Sequence, residues 1–195
     1  MGVLGGAFNP PHVGHLLLAQ EARWQLELDR VLLMVTGRAP HKEIDDDPGA
    51  DLRLEMAMLA AGFDPGVEAS GLEVDRDETS YSYRTLEVLA GEEPESELFF
   101  LLGADVAAGL ASWKEPVRVL ELAKLGVVPR PGVGLEAVSS ALERLGAADR
   151  AEIIDMPLCG ASSTTVRQRA REGRPLRHLV PDPVIRVIEE RELYR

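Results

Sequence analysis

The stretch GGAFNPPHVGH, from Gly5 to His15, combines two glycines, two prolines and two histidines close to the start of the chain. An apolar run precedes it, and Pro10 with Pro11 favours extended backbone because proline fixes φ and lacks an N–H donor. The stretch therefore predicts a strand, a glycine turn and a helix that begins just after the prolines. Helix N-termini present unpaired N–H groups and partial positive charge, which together suit an anion such as phosphate.

Further apolar runs bounded by turn residues are typical of buried strands. With the first run, VLGG, they are RVLLMVT at 30–36, LFFLLG at 98–103, KLGVVP at 124–129 and AEIIDMP at 151–157. Helical patterns lie between them, at 15–28, 51–61, 82–89, 115–123, 135–145, 164–172 and 183–192. This alternation predicts a doubly wound α/β fold with a mostly parallel sheet and helices on both faces. Ligands of such folds bind beyond the carboxyl ends of the strands.

The composition sets limits on partners and location. The net charge of −12 and the pI near 4.8 argue against a surface for nucleic acid or an anionic membrane, because such surfaces need clustered lysine and arginine. No apolar run approaches the roughly 18 residues of a membrane span. The first residues lack the pattern of a secretory signal, and the single Cys159 forms no internal disulfide, so we expect a cytoplasmic protein.

The two histidines are the unusual part of the opening stretch. If both were helical, the spacing of His12 and His15 would place them on one face about 5–6 Å apart, and Gly14 would let a ligand approach the backbone. A pair of surface histidines beside a tight turn is the alternative. Their combination with a glycine turn and a helix N-terminus favours anion binding. No nearby cysteine or carboxylate set has metal-ligand spacing, so we expect no structural metal site.

A second motif, CGASSTTVRQR at 159–169, follows the last apolar run. Ser162, Ser163 and Thr164 suit a helix N-cap, and Arg167 shares the face of that opening turn. Together they could hold the same anion. The alternative is an ordinary capped helix with basic residues, which has the same sequence pattern. The segment HKEIDDDPGAD at 41–51 predicts an exposed, mobile loop.

Both motifs resemble the HxGH-type and SSTxxR-type signatures of the nucleotidyltransferase superfamily. Five more segments, in the right order, look like bacterial nicotinate-nucleotide adenylyltransferases: APHK at 39–42, ETSYSYRTL at 78–86, LLGADVAAGLASWKEP at 101–116, VVPRPG at 127–132 and LVPDPVIRVIEE at 179–190. The resemblance covers nearly the whole chain. It implies one nucleotidyltransferase domain over 1–195, with a helical phosphate-binding segment at about 160–195 packed on it.

The resemblance also implies a reaction. The adenylyl group of ATP passes to nicotinate mononucleotide, giving nicotinate adenine dinucleotide and pyrophosphate. The acceptor's phosphate oxygen attacks in line, so no covalent intermediate forms, and the protein supplies positioning and charge stabilisation. Mg²⁺ is the implied cofactor, bound mainly through substrate phosphates.

Residue roles follow from the same resemblance. The catalytic residues would be His12, His15 and Arg167. The ATP site would comprise these three with Gly5, Gly6, Phe8, Gly14, Asp105, Ser162, Ser163 and Thr164. The pyridine nucleotide would contact Lys42, Thr85, Trp113 and Arg130, with the Trp113 indole stacking on the ring and the Thr85 region binding the carboxylate. Asp105 would contact a ribose, and it also suits the N-cap of a short helix.

Two positions depart from the family pattern, and the acceptor stays open. Asn9 stands where relatives often carry aspartate, and Arg84 stands where aspartate is frequent before the Thr-Leu pair. Rival acceptors are nicotinamide mononucleotide and phosphopantetheine, and a non-catalytic nucleotide-binding regulator is the alternative from another class. We expect ATP and nicotinate mononucleotide as partners, with no nucleic acid and no membrane. The sequence leaves open whether the chain forms a homo-oligomer.

Overall fold

Six strands pair side by side in one parallel sheet in the computed structural model, which describes residues 1–39, 43–76, 78–129, 132 and 134–195. They are β1 (Gly2–Gly6), β2 (Val31–Val35), β3 (Val67–Ser70), β4 (Phe99–Gly103), β5 (Lys124–Val128) and β6 (Ala151–Ile153). The sheet order is β3-β2-β1-β4-β5-β6, so the chain reverses direction across the sheet between β1 and β4. The predicted doubly wound fold is confirmed, and such a reversal is where folds of this kind generally bind ligands.

Eight helices connect the described strands or follow them. They are α1 (Val13–Gln25), α2 (Ala50–Ala61), α3 (Ser82–Glu92), α4 (Ala104–Ala108), α5 (Pro116–Leu122), α6 (Leu135–Arg144), α7 (Ser163–Arg171) and α8 (Asp182–Glu190). The seven predicted helices all occur, with shifted ends. Strand β3 was not predicted, because four residues are too short to show a hydrophobic period, whereas α4 is the short helix expected beside Asp105.

Alternate strand residues point to opposite faces of the sheet, and each face has its own core. Val3, Phe100 and Leu102 pack on the face covered by α3, α4, α5 and α6, whereas Leu4 and Leu101 pack on the face covered by α1 and α2. Burial of one such side chain contributes roughly 1.5–3 kcal/mol. Nearly continuous apolar runs in the sequence are the consequence of having two covered faces.

The last helices pack against α2 through a third apolar cluster. Met56 and Ala60 of α2 meet Val166 of α7 and Val184 of α8 there, and Met56 is fully buried. This cluster holds α7 beside the loop that follows β1. Within the described residues, no helix combines the length and the apolar character that a bilayer crossing requires.

Candidate active site

A cavity of about 300 Å³ opens at the carboxyl ends of β1 and β4, where the strand order reverses. Gly5 and Gly6 of β1 line it, together with Thr85 and Trp113 from the other side. Four residues with predicted substrate roles therefore surround one cavity. The rest of its wall is mostly apolar and includes Val3, Met34, Phe100 and Leu102.

His12 and His15 lie at the N-terminus of α1. His12 is the N-cap with extended backbone and His15 lies in the first turn, so the helix begins just after the prolines, as predicted. The His12 Nδ1 accepts a hydrogen bond from Gly14 N–H at 3.2 Å, and His15 Nδ1 accepts one from His12 N–H at 3.2 Å. The two rings stack with centroids 3.8 Å apart.

These backbone bonds decide where each ring carries its proton. A nitrogen that accepts a hydrogen bond is unprotonated, so the proton of each neutral ring lies on Nε2. Both histidines are thereby oriented with an Nε2–H donor. Such donors are suited to phosphate oxygens.

Close packing explains two of the small residues in the opening stretch. A Cβ at Gly14 would lie 3.0 Å from His12 Nδ1 and 3.4 Å from the Cys159 sulfur, so a side chain there would displace the imidazole. A Cβ at Gly6 would lie 3.3 Å from the ring of Phe8. Phe8 is buried with φ of 50°, and its ring meets His15 edge-on at 4.9 Å.

The start of α7 lies against the loop that follows β1. Ser162 is its N-cap and accepts from Thr165 N–H at 3.1 Å, as expected of a capping serine. The Ser163 hydroxyl donates to the Pro10 carbonyl at 2.9 Å. Thr164 is exposed in the first turn. The two motifs, distant in sequence, are therefore adjacent in space.

Arg167 is buried and contacts neighbouring acceptors through all three of its side-chain nitrogens. Its Nη1 donates to the Asn9 carbonyl at 2.9 Å, its Nε donates to Asp46 Oδ2 at 3.1 Å, and Asp45 lies 3.7 Å from its Nη2. Asp46 also pairs with Arg171. The Arg171 and Arg167 guanidinium groups hold the pKa of the Asp46 carboxyl below its ordinary value. The loop that was predicted to be exposed thus carries carboxylates that neutralise Arg167, the residue predicted to bind phosphate.

Asn9 explains one departure from the family pattern. Its side-chain nitrogen donates to the Asp45 carbonyl at 2.7 Å and to the Asp46 carbonyl at 3.3 Å. An aspartate there has no hydrogen to donate when ionised, and its charge would face two carbonyl oxygens. The amide therefore suits this acidic loop.

The hydroxyl of Thr85 is committed to a buried carboxylate. Thr85 Oγ1 donates to Glu73 Oε1 at 2.6 Å, and both side chains are buried at the cavity wall. Burial raises the pKa of the Glu73 carboxyl, while hydrogen bonds from Thr85 and Ser80 oppose the rise. In this structure the proton of the hydroxyl therefore faces Glu73, and the role predicted for the Thr85 region stays a prediction.

The N-terminus of α3 offers other donors at the same wall. Tyr81 and Ser82 line the cavity at the start of this helix, which has no side-chain cap and no acidic residue in its first turn. Backbone N–H groups at such an end favour an anion. Trp113 faces the cavity with its ring edge-on to Phe100 at a centroid distance of 6.0 Å, and Lys114 lies beside it.

The remaining predicted residues lie in different environments. Asp105 is exposed in the first turn of α4, whose N-cap is Gly103, so its expected capping role is wrong. Arg84 pairs with Glu78, its Nε donates to the Tyr83 hydroxyl at 3.0 Å, and it is not among the described residues that line the 300 Å³ cavity. Lys42 and Arg130 lie outside the described residues.

Several residues that contact the candidate site were not identified from the sequence. Glu73 lies in no sequence motif, and Asp45 and Asp46 belong to the segment predicted as an exposed, mobile loop. Arg53 was interpreted only as part of a helix, yet it is fully buried and donates to the carbonyls of Ala7, Thr36 and Gly37. The signal that could have found it is an arginine within an otherwise apolar helix face.

No group of three or more His, Cys, Asp or Glu side chains that could hold a metal ion occurs in the part of the chain that the structure describes.

Comparison with known proteins identifies the family. The model of the cytidylyltransferase-like family matches residues 3–169. A protein of Roseiflexus sp. (strain RS-1), named "Probable nicotinate-nucleotide adenylyltransferase", is 41% identical over 100% of this chain and 98% of its own length. A protein of the same name from Thermus thermophilus is 42% identical, covering 100% of this chain and 99% of its own.

A solved structure agrees in fold at low identity. The nicotinic acid mononucleotide adenylyltransferase of Plasmodium falciparum, complexed with NaAD, superimposes with a TM-score of 0.81 and 16% identity over 99% of this chain and 96% of its own. The fold is therefore shared. Given the family match and relatives of 41% and 42% identity along the whole chain, this chain belongs to the cytidylyltransferase-like family and, within it, to the nicotinate-nucleotide adenylyltransferases.

Proposed function

We propose that the protein transfers the adenylyl group of ATP to nicotinate mononucleotide, releasing pyrophosphate and giving nicotinate adenine dinucleotide for NAD biosynthesis. The loop after β1 is the observation that carries this proposal. It follows two β1 glycines that line a cavity with an aromatic wall, and its other end holds two oriented imidazoles and contacts α7. A phosphate-binding region and a cavity for a planar ring thus share one loop.

The reaction needs no protein nucleophile. An oxygen of the acceptor's phosphate attacks the α-phosphorus of ATP, the new P–O bond forms, and the bond to pyrophosphate breaks with its electron pair on the leaving group. Negative charge grows on the leaving phosphates. Donors held in place before reaction stabilise that charge most effectively, because they need no reorganisation.

The donors for the leaving group come from α1 and α7. His12 and His15 would donate from Nε2, with their orientation set by the backbone bonds at Nδ1. Arg167, Ser162, Ser163 and Thr164 would hold the β- and γ-phosphates, which requires Arg167 to exchange contacts with Asp46. Gly5, Gly6, Phe8 and Gly14 shape the approach, and Asp105 would accept from a ribose hydroxyl.

The cavity between β1 and α3 would take the pyridine end of the acceptor. The Trp113 indole suits stacking on a pyridinium face. The N–H groups at the start of α3 would bind the carboxylate, with Lys114 close by. Lys42 and Arg130 keep the roles that the sequence resemblance implies.

Mg²⁺ is the proposed cofactor. It would enter with ATP, held chiefly by phosphate oxygens and water, and it would neutralise phosphate charge. This mode of binding fits the described residues proposed to contact the phosphates, which are histidines, hydroxyls and an arginine.

Glu73 favours nicotinamide mononucleotide as a second candidate acceptor. Its carboxylate lies at the wall of the same cavity and would repel a nicotinate carboxylate more than an uncharged amide. The raised pKa of this carboxyl reduces that repulsion as the pH falls.

The test is pyrophosphate release with Mg·ATP and, in parallel, nicotinate mononucleotide, nicotinamide mononucleotide or phosphopantetheine. We expect rapid release with the first. Preference for another acceptor would retain adenylyl transfer but replace the substrate. No release with any of them, despite ATP binding, would favour the nucleotide-binding regulator. The cytoplasmic location remains part of this proposal.

A further inference from the structure

Asn9 joins three parts of the chain that are far apart in sequence. It is 2% exposed, and its side-chain nitrogen binds the carbonyls of Asp45 and Asp46. Its backbone carbonyl accepts from Arg167. Its side-chain oxygen accepts from the Tyr194 hydroxyl at 2.7 Å, a buried bond between residues 185 positions apart. Nothing in the two sequence motifs points to Tyr194.

The chemistry of these partners fixes the orientation of the amide. Carbonyl oxygens only accept hydrogen bonds, so the nitrogen of Asn9 must face Asp45 and Asp46. The oxygen then faces Tyr194, whose hydroxyl must donate. Burial raises the pKa of that hydroxyl, so it keeps its proton at neutral pH. One donor therefore completes the hydrogen bonding of a buried amide.

The ring and the hydroxyl of Tyr194 have separable surroundings. The ring belongs to the apolar cluster that packs α8 against α2, together with Val187 and Ile188. The hydroxyl reaches beyond this cluster to the loop after β1. A phenylalanine at this position would retain the ring and remove the donor, leaving a buried amide oxygen unpaired.

We propose that Tyr194 is a positioning residue for the phosphate site, because its hydroxyl holds Asn9 in the orientation that supports Arg167. Tyr194 contacts no substrate in this proposal. Its effect passes through Asn9, whose backbone carbonyl accepts from Arg167 Nη1 and orients the guanidinium. The inference rests on the phosphate-binding role of Arg167 proposed above.

The experiment compares the wild type with Tyr194→Phe in steady-state assays at varied ATP and varied nicotinate mononucleotide. We expect the KM for ATP to rise about five-fold, because one buried neutral hydrogen bond is lost, while the KM for nicotinate mononucleotide stays unchanged. Tyr83→Phe is the matched control, since its hydroxyl accepts only from exposed Arg84 among the described contacts. It should leave both KM values unchanged.

A purely structural role would lower the Tm and change both KM values together or neither, and that result overturns the proposal. Coupling gives a second criterion. In an Asn9→Ala background, Tyr194→Phe should have no further effect on the KM for ATP, and additive effects would refute action through Asn9. If Tyr194→Phe unfolds below the assay temperature, Asn9→Ala alone must raise this KM.

Failure of the proposed function would look different. It would show as a wild-type protein that releases no pyrophosphate with any acceptor. The positioning role is then measured by the rise in Tm that Mg·ATP produces, which reports binding without turnover. Tyr194→Phe should reduce this rise, and an undiminished rise contradicts the proposal.

Discussion

At the residue scale, each imidazole of the pair has a structural role at Nδ1 and a proposed chemical role at Nε2. Nδ1 of each histidine accepts a backbone hydrogen bond that shapes the first turn of α1, and Nε2 is left to carry the proton. Structural and chemical roles can therefore be separated by substitution. Asparagine can place an acceptor near Nδ1, whereas glutamine can place a donor near Nε2.

The first prediction uses this difference at His15. His15→Asn should keep the Tm near that of the wild type but lower kcat by about 10²–10³, since a donor to the leaving phosphates is lost. His15→Gln should lose Tm and retain more of the turnover. Single-turnover pyrophosphate release and thermal unfolding of both variants provide the measurement, and equal kcat values would refute the assignment of the Nε2 role.

A second residue-scale prediction concerns Glu73. Because its folded pKa is raised, the folded chain binds this proton more tightly than the unfolded chain does. Its contribution to stability is therefore present below the ordinary value of 4.5 and is lost as the pH rises through the folded value.

Glu73→Gln removes that dependence. The free energy of unfolding of the variant relative to the wild type should increase as the pH rises from below 4.5 through the raised pKa of the folded protein. Urea unfolding across this range measures it. Parallel pH profiles for the two proteins would contradict the raised pKa.

At the element scale, the sequence predicted every long element but not how the elements touch. Continuous apolar strands and capped helices carry local signals, so β1, α1 and α7 could be placed from their residues alone. The contacts of Arg167 with Asn9 and Asp46 could not be predicted, because ion pairing depends on where the 43–49 loop lies relative to α7. Thr85 was identified through the family resemblance, but its hydrogen bond to buried Glu73 became visible only in the structure.

The contact between that loop and α7 gives a third prediction. Asp46→Asn should lower the KM for ATP several-fold, because Arg167 and Arg171 lose a competing carboxylate. Glu43→Gln makes the same change of charge in the same loop and is the control. The KM of the Glu43→Gln variant for ATP should change far less. Equal effects of the two variants would mean that only the net charge of the loop matters and would contradict the prediction.

At the scale of the whole molecule, three apolar clusters place the phosphate-binding elements. Two of them cover the faces of the sheet, and the third fixes α7 and α8 to α2. The alternation of strands and helices predicted the first two. The third was not predictable, because the apolar faces of α2, α7 and α8 do not determine which helices pack against each other.

Met56 tests the third cluster. Met56→Ala should lower the free energy of unfolding by about 2–5 kcal/mol, since it leaves a cavity among fully buried neighbours. Met58→Ala lies on the same helix at 59% exposure and should have little effect. Denaturant unfolding measures both, and a small loss at Met56 would mean that the last helices pack loosely.

The position of β1 in the sheet sets an order for folding. Gly2 pairs with Val31 on one side and with Phe99 on the other, so the first strand has one neighbour nearby in sequence and one far away. On the ribosome, the second edge of β1 stays unsatisfied until the chain beyond residue 99 has emerged. A long-lived open strand edge invites pairing with other chains. The nascent chain therefore passes through a stage at which one edge of the strand that later leads into the glycine turn is open.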